Sequence, residues 1–301
     1  MQTQADAPPA GVSRSAAWML RVVWLLQPAA FVPLLGDATS TLPGTGKVIA
    51  AALAWATWAS VLLATFVPST VSITAGRLVA PLAPIVALTA GLGGAVAGWK
   101  LAVAIGAGTI GVVVWFSGET GMVLAQGSAY GAEQRFPLKP PVPLVVPMAL
   151  SWLVLAATSV AGAVFLANER WIVGGALAVL AIVAGRFLGS RFHQLSRRWL
   201  VVVPAGLVVH DPMLLAENAL FRVVDLAAVH LAPADTEAAD LTGGTAGVVI
   251  EIVLRETDTI VKAASADKPT GTALHVRSVL VSPSRPGRAL AAAGARRMPV
   301  G

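Results

Sequence analysis

The stretch Pro68-Ser69-Thr70-Val71-Ser72-Ile73-Thr74 followed by Arg77 places four hydroxyls and a guanidinium within ten residues. A helix that starts at this point presents free backbone N–H groups and the positive end of its dipole, a combination that favours anions. A nearby arginine adds a planar, two-pronged donor for phosphate or carboxylate. With Arg135 and Lys139 assigned to the same membrane face, Ser69, Thr70, Arg77, Arg135 and Lys139 form a candidate site for a lipid headgroup or another anionic solute. The competing reading is topological: Arg77 stands seven residues into an apolar run and can reach the interface by extending its aliphatic stem.

A second basic group, Arg186, Arg191, Arg197 and Arg198, lies at the cytoplasmic end of the last apolar run. Arginines there fix orientation and attract anionic lipid at about 1 kcal/mol each. The four histidines, His193, His210, His230 and His275, show no metal-ligand spacing and read as structural. Thr242-Gly243-Gly244-Thr245 lacks the lysine and spacing of a phosphate-binding loop. No nucleophile-elbow or zinc-protease motif occurs, and there is no cysteine for thiol or metal chemistry. The sequence therefore names no catalytic residue, metal or cofactor, and the expectation is a protein that is not an enzyme.

The elements that must position these groups are set by hydropathy. Apolar residues make up 56% of the chain and charged residues only 12%, which is far from the globular average and points to a membrane protein. Runs near twenty residues, the length a helix needs to cross the hydrocarbon, predict spans at 16–35, 48–67, 70–91, 100–116, 145–167 and 171–188. Pro81, Pro84 and the glycines 91, 93, 94 and 98 make a broken or re-entrant third or fourth segment an open alternative. No Asp or Glu falls inside these spans, which argues against an ion-coupled transporter.

Trp18, Trp99, Trp115 and Trp171 sit at predicted span ends, suited to the headgroup level, while Trp24, Trp55, Trp58 and Trp152 lie deeper as packing residues. With the N-terminus inside, Arg14, Arg21, Arg77, Arg135, Lys139, Arg186, Arg191, Arg197 and Arg198 lie at cytoplasmic ends, against Lys47, Lys100 and Arg170 outside. This bias predicts both termini in the cytoplasm of a bacterial inner-membrane protein.

Residues 1–15 read as a disordered leader, 16–189 as the transmembrane domain and 190–301 as a cytoplasmic domain. The last carries twelve basic and ten acidic residues, too even a balance for a nucleic-acid footprint. Segment 117–141, with Tyr130 and Pro137, Pro140 and Pro141, is predicted to be an irregular cytoplasmic loop. In the tail, Trp199-Leu-Val-Val-Val-Pro204 and Leu207-Val-Val-His-Asp211 read as a hairpin about Ala205-Gly206. Alternating runs at 247–256 and 274–281 read as strands, and Ser284 and Pro286 as the start of a closing helix.

The words Arg198-Trp199-Leu200-Val201-Val202, Leu220-Phe221-Arg222, Asp225-Leu226-Ala227-Ala228-Val229 and Val279-Leu280-Val281-Ser282-Pro283 resemble the bacterial PH-like domain over residues 190–294, with 234–246 as an insertion. The whole arrangement, with sixteen Arg against five Lys, is similar to multi-pass membrane proteins of actinobacteria that end in such a domain. The resemblance implies a bundle of about six transmembrane helices followed by a small cytoplasmic α+β domain of antiparallel strands and one C-terminal helix. It implies a location and no activity. The expected role is a scaffold, assembly or regulatory factor with membrane lipids and a protein as partners. The alternatives are a carrier of lipid or amphipathic solute using the Arg77 region and a membrane enzyme of unfamiliar type.

Overall fold

The computed structural model describes residues 14–93, 96–264 and 271–301. The predicted leader falls almost wholly outside them. The chain divides into two compact units, one of residues 13–124 and 148–193, the other of 125–147 and 194–301.

The first unit is helical. Its helices are α1 (Arg14–Leu25), α2 (Gln27–Ala38), α3 (Gly44–Phe66), α4 (Thr70–Val79), α5 (Leu82–Leu92) and α6 (Gly98–Phe116), followed in the chain by α7 (Gly118–Gln126), α8 (Val142–Ala167) and α9 (Trp171–Ser196). Taken with their continuations, six are long and apolar enough to cross a bilayer: Ser15–Ala38, Gly44–Phe66, Thr70–Leu92, Gly98–Phe116, Val142–Ala167 and Trp171–Ser196. These are the six predicted segments. Two are interrupted. The first turns at Leu26 just before Pro28, and the third breaks before Leu82, where Pro81 supplies no N–H for the ladder. The last runs eight residues past its predicted end, and α2 takes in Asp37, which the sequence assigned outside the spans. Asp37 pairs there with Lys100 of α6 at 2.6 Å.

Small side chains let these helices touch. Along α6, Ala104, Gly108 and Gly111 recur at helical spacing, and a Cβ on Gly108 would stand 2.9 Å from the Pro84 nitrogen of α5. Leu34, Ala87 and Ala104 are fully buried where α2, α5 and α6 meet. Indoles contribute directional bonds: Trp24 Nε1 donates to the Trp58 carbonyl at 2.9 Å, and Trp58 Nε1 returns the bond to the Trp24 carbonyl at 3.0 Å. Trp152 Nε1 donates to the Leu78 carbonyl, close to the break at Pro81. Trp115 departs from its expected interfacial place: it is 1% exposed, its ring against Gly76, where a Cβ would lie 2.1 Å from a ring carbon.

The other unit is built on two sheets. The first is an antiparallel meander of β1 (Gln134–Pro137), β2 (Trp199–Val203), β3 (Gly206–His210) and β4 (Ala219–Arg222). The second has the order β5 (Leu226–Leu231), β7 (Ile250–Lys262), β8 (Thr272–Val281) and β6 (Ala239–Asp240), with β6 parallel to β8. Helix α10 (Pro286–Ala295) follows. Inward residues such as Val202, Leu207, Phe221, Leu226, Ile252 and Val279 are essentially fully buried. The predicted hairpin is β2 and β3. Gly206 at φ +154° is required there, since a Cβ would fall 2.0 Å from the Phe221 carbonyl oxygen.

Two further expectations are corrected. Segment 117–141 holds α7 and β1 rather than an irregular loop, because Gln134 to Pro137 pair with Val202 to Trp199. Its sequence hides this: the strand is four residues long and flanked by Gly and Pro. The closing helix is preceded by Arg285 without a side-chain cap; Ser284 does not serve as the cap.

Gly76→Leu should destabilise the helical unit by about 1–3 kcal/mol or more through overpacking against Trp115. Gly98→Ala, with nothing near its added Cβ, should not. Thermal midpoints of both variants in detergent check this.

Candidate functional site

The anion site read from the sequence divides between the units: Ser69, Thr70 and Arg77 belong to the helical unit, Arg135 and Lys139 to the sheet unit. At the start of α4, Ser69 is the N-cap and its Oγ accepts from the Ser72 amide at 3.1 Å. The two serine hydroxyls lie 2.9 Å apart, and Ser72 Oγ donates to the Val67 carbonyl. The Thr70 carbonyl accepts from Thr74 Oγ1, which also lies 2.9 Å from His193 Nδ1 of α9. These hydroxyls bond to one another and to the backbone.

Arg77 is half-buried. Its Nε donates to the Trp115 carbonyl at 3.3 Å, and its guanidinium lies 5.6 Å from the Phe116 ring centroid. A cation at the C-terminal turn of α6 meets carbonyls left without intrahelical donors and the negative end of the dipole. The sequence shows the charge in the third span; its partner could have been sought at the end of the fourth, where an antiparallel neighbour leaves open carbonyls.

Arg135, on β1, is bound to Glu133 at 2.6 Å, to Ser128 Oγ, and lies over the Trp199 ring at 5.1 Å. Lys139 Nζ donates to the Val248 carbonyl at 3.2 Å. Both are thus engaged within the sheet unit.

Of the basic group at the end of the last span and just beyond it, Arg186, Arg191 and Arg197 are exposed and Arg198 is not. Arg198 is 0% exposed, which corrects its assignment to the membrane surface. Its Nε donates to Asp211 Oδ2 at 2.8 Å, and Nη2 lies 2.6 Å from the same oxygen. Nη1 donates to the Lys139 carbonyl at 2.9 Å, and Nη2 reaches the Thr242 carbonyl at 3.4 Å. Asp211 Oδ1 accepts the Met213 amide. A charge taken this far from water needs such a set of partners. Asp211 stands thirteen residues away at the end of β3, and no local spacing reveals the pairing.

The predicted insertion contains a second polar turn. Asp240 Oδ1 accepts the Thr242 amide at 2.6 Å and Oδ2 the Gly244 amide at 3.2 Å, while Thr242 Oγ1 accepts from Gly244 and Thr245. Beside this turn a groove of about 620 Å³ runs along β8, lined in part by Glu237, Asp240, Glu251, Lys262, His275 and Arg277.

The histidines all have neighbours: His210 lies 2.6 Å from Asn218 and stacks on Trp199, His230 lies near the Leu231 carbonyl, and His275 lies 2.8 Å from Thr259. Among the described residues no group of three His, Cys, Asp or Glu is placed to hold a metal ion.

Six apolar helices and a unit of two sheets define a multi-pass membrane protein with a sheet-rich C-terminal region. Comparison with protein-family models, curated proteins and solved structures returned no match.

Removing one partner of the buried pair, by Arg198→Leu or Asp211→Leu, should cost about 3–5 kcal/mol, and the double variant should cost less than either single change. Thermal unfolding of the four proteins measures this. The Asp240 carboxyl is pushed up by burial, but its bonds to Thr242 and the neighbouring glycine amides outweigh that and hold it below its ordinary value. The unfolded chain therefore binds the proton more readily, so this contribution is present above about pH 4 and fades as pH falls through the depressed folded value. The protection factors of the Thr242 and Gly244 amides, measured against their intrinsic exchange rates at each pH, should fall on acidification, and Asp240→Asn should flatten that dependence.

Proposed function

We propose that this protein is a non-catalytic assembly, scaffold or regulatory factor of the bacterial inner membrane, working through its C-terminal unit on the cytoplasmic side. We read that unit as PH-like. Two four-stranded sheets, the first a simple meander and the second followed by a helix, support the reading. The actinobacterial kinship suggested by the residue words is part of the same proposal.

The observation that carries the proposed role is how the unit uses its polar groups. Arg198, Asp211, Arg135 and Asp240 are engaged in holding strands and turns together, while the side of β8 over 272–278 has no strand beside it among the described residues. An open sheet edge is a site for main-chain hydrogen bonding by another protein. Basic residues predominate at the span ends assigned to this side, and the exposed Arg186, Arg191 and Arg197 suit contact with anionic lipid.

Purification of the full-length protein from its native membrane at endogenous expression, with chemical cross-linking and mass spectrometry, tests this. The expected result is a stoichiometric protein partner whose cross-links fall within residues 199–301. Recovery without a protein but with one enriched anionic lipid, lost on Arg77→Ala, would instead establish the carrier reading.

A further inference from the structure

The long hairpin of β7 and β8 is covered unevenly. On the β7 side, β5 pairs with Ile250 to Leu254, and the segment around Leu215 pairs with the far end at Lys262. The outer edge of β5 is itself engaged at Val229, whose amide donates to the Pro299 carbonyl and whose carbonyl accepts from the Gly301 amide. On the β8 side, β6 pairs only with Val279 and Leu280. From 272 to 278 β8 carries no partner on that side among the described residues, and the groove of about 620 Å³ follows this bare stretch. Its opposite wall is the chain from Thr236 to Ala239. The volume lies in the range that receives a compact ligand, and one wall is a row of strand backbone.

Charge is distributed along the groove. The register sets His230, Glu251, Leu280 and Asp240 in one row across the sheet. Asp240 is bonded to backbone amides, and His230 Nδ1 lies against the Leu231 carbonyl. Glu251 is 7% exposed and lines the groove. A carboxylate lining a groove attracts a cation that enters it, more strongly than it would in bulk water. At the opposite end Lys262 stands opposite Thr272, eight residues along β8 from Leu280, roughly 27 Å at about 3.4 Å per residue. Arg277 is exposed between the two ends.

We propose that the open edge of β8 takes up an extended peptide segment of a partner protein as an added strand. A Lys or Arg of that segment meets Glu251, and an acidic residue lies toward Lys262. The backbone of 272–278 supplies affinity through main-chain bonds, and the two charged ends set direction and register. This rests on the reading of the C-terminal unit as a partner-binding module and names the kind of partner it takes.

The test pans a phage-displayed library of random dodecapeptides on the full-length protein in detergent. Enriched peptides should combine alternating β-branched residues with a Lys or Arg at a constant position and an acidic residue several positions away. A synthetic peptide of the enriched sequence should slow amide exchange at 273–277. Glu251→Gln should weaken its binding at least tenfold, and Lys→Gln or Arg→Gln at the peptide's constant position should do the same to the unaltered protein, so the charge pair is tested even if the variant folds poorly. Absence of enriched peptides, protection elsewhere, or affinity unchanged by both substitutions would overturn the groove assignment. A native partner that cross-links to residues 199–301 and is retained by Glu251→Gln would overturn the groove while leaving the broader role standing. Absence of any native protein partner would overturn the role itself.

Discussion

The sheet unit depends on one buried charge. Arg198 sits in front of β2 and reaches three separate pieces of chain: Asp211 after β3, the Lys139 carbonyl beyond β1, and the Thr242 carbonyl in the turn after β6. Its own carbonyl accepts the Leu138 amide, which continues the β1–β2 ladder by one bond. Residues 137–139 then cross to the other side of the unit, where the Lys139 amide donates to the Ser282 carbonyl and the Ser284 amide to the Pro137 carbonyl. The short segment that follows β1 therefore links the first sheet to the stretch just after β8, and the guanidinium binds it at the Lys139 carbonyl. A hydrophobic residue of similar size could fill the space. It could not satisfy three acceptors whose water has been removed.

The helical unit follows a different economy of contacts. Lipid gives helices no hydrophobic reason to associate, so close approach and specific bonds must supply it. Gly76 under Trp115, Gly108 against Pro84 and the reciprocal Trp24–Trp58 bonds provide both. Gln27, buried at the start of α2, donates to the Ala107 carbonyl of α6 at 2.8 Å and lies against Gly111. Where Pro81 interrupts the backbone ladder, the Trp152 indole supplies a donor to a nearby carbonyl, and Arg77 does the same at the end of α6. Side chains from other helices thus complete backbone that proline or a helix end leaves open.

The parts of this architecture visible in the sequence were those governed by local rules. Hydropathy marked six segments because span length is a property of one contiguous run, and the β2–β3 hairpin was visible because its two apolar runs are adjacent. The pairs that define the candidate sites are long-range: Thr74 with His193, Arg77 with Trp115, Arg198 with Asp211. Arg198 was misplaced because four nearby arginines after a span look alike in one dimension, and only burial separates the fourth. Strand β1 was missed because its partner lies beyond two further spans. The groove beside β8 was not legible at all, since it depends on β6 being only two residues long and so leaving most of its neighbour uncovered.

The pairing of β1 with β2 carries a consequence for how the chain enters the membrane. Hydrogen-bonded strands share one aqueous compartment, so Gln134 and Val202 must emerge on the same side of the bilayer. Between them lie α8 and α9, which must therefore insert as a returning pair. Were one of them to stay out of the membrane while the other crossed, β1 and β2 would be delivered to opposite sides, and Arg198 would lose the acceptor at Lys139. The first sheet can therefore close only in chains whose last two spans have both crossed or both stayed out.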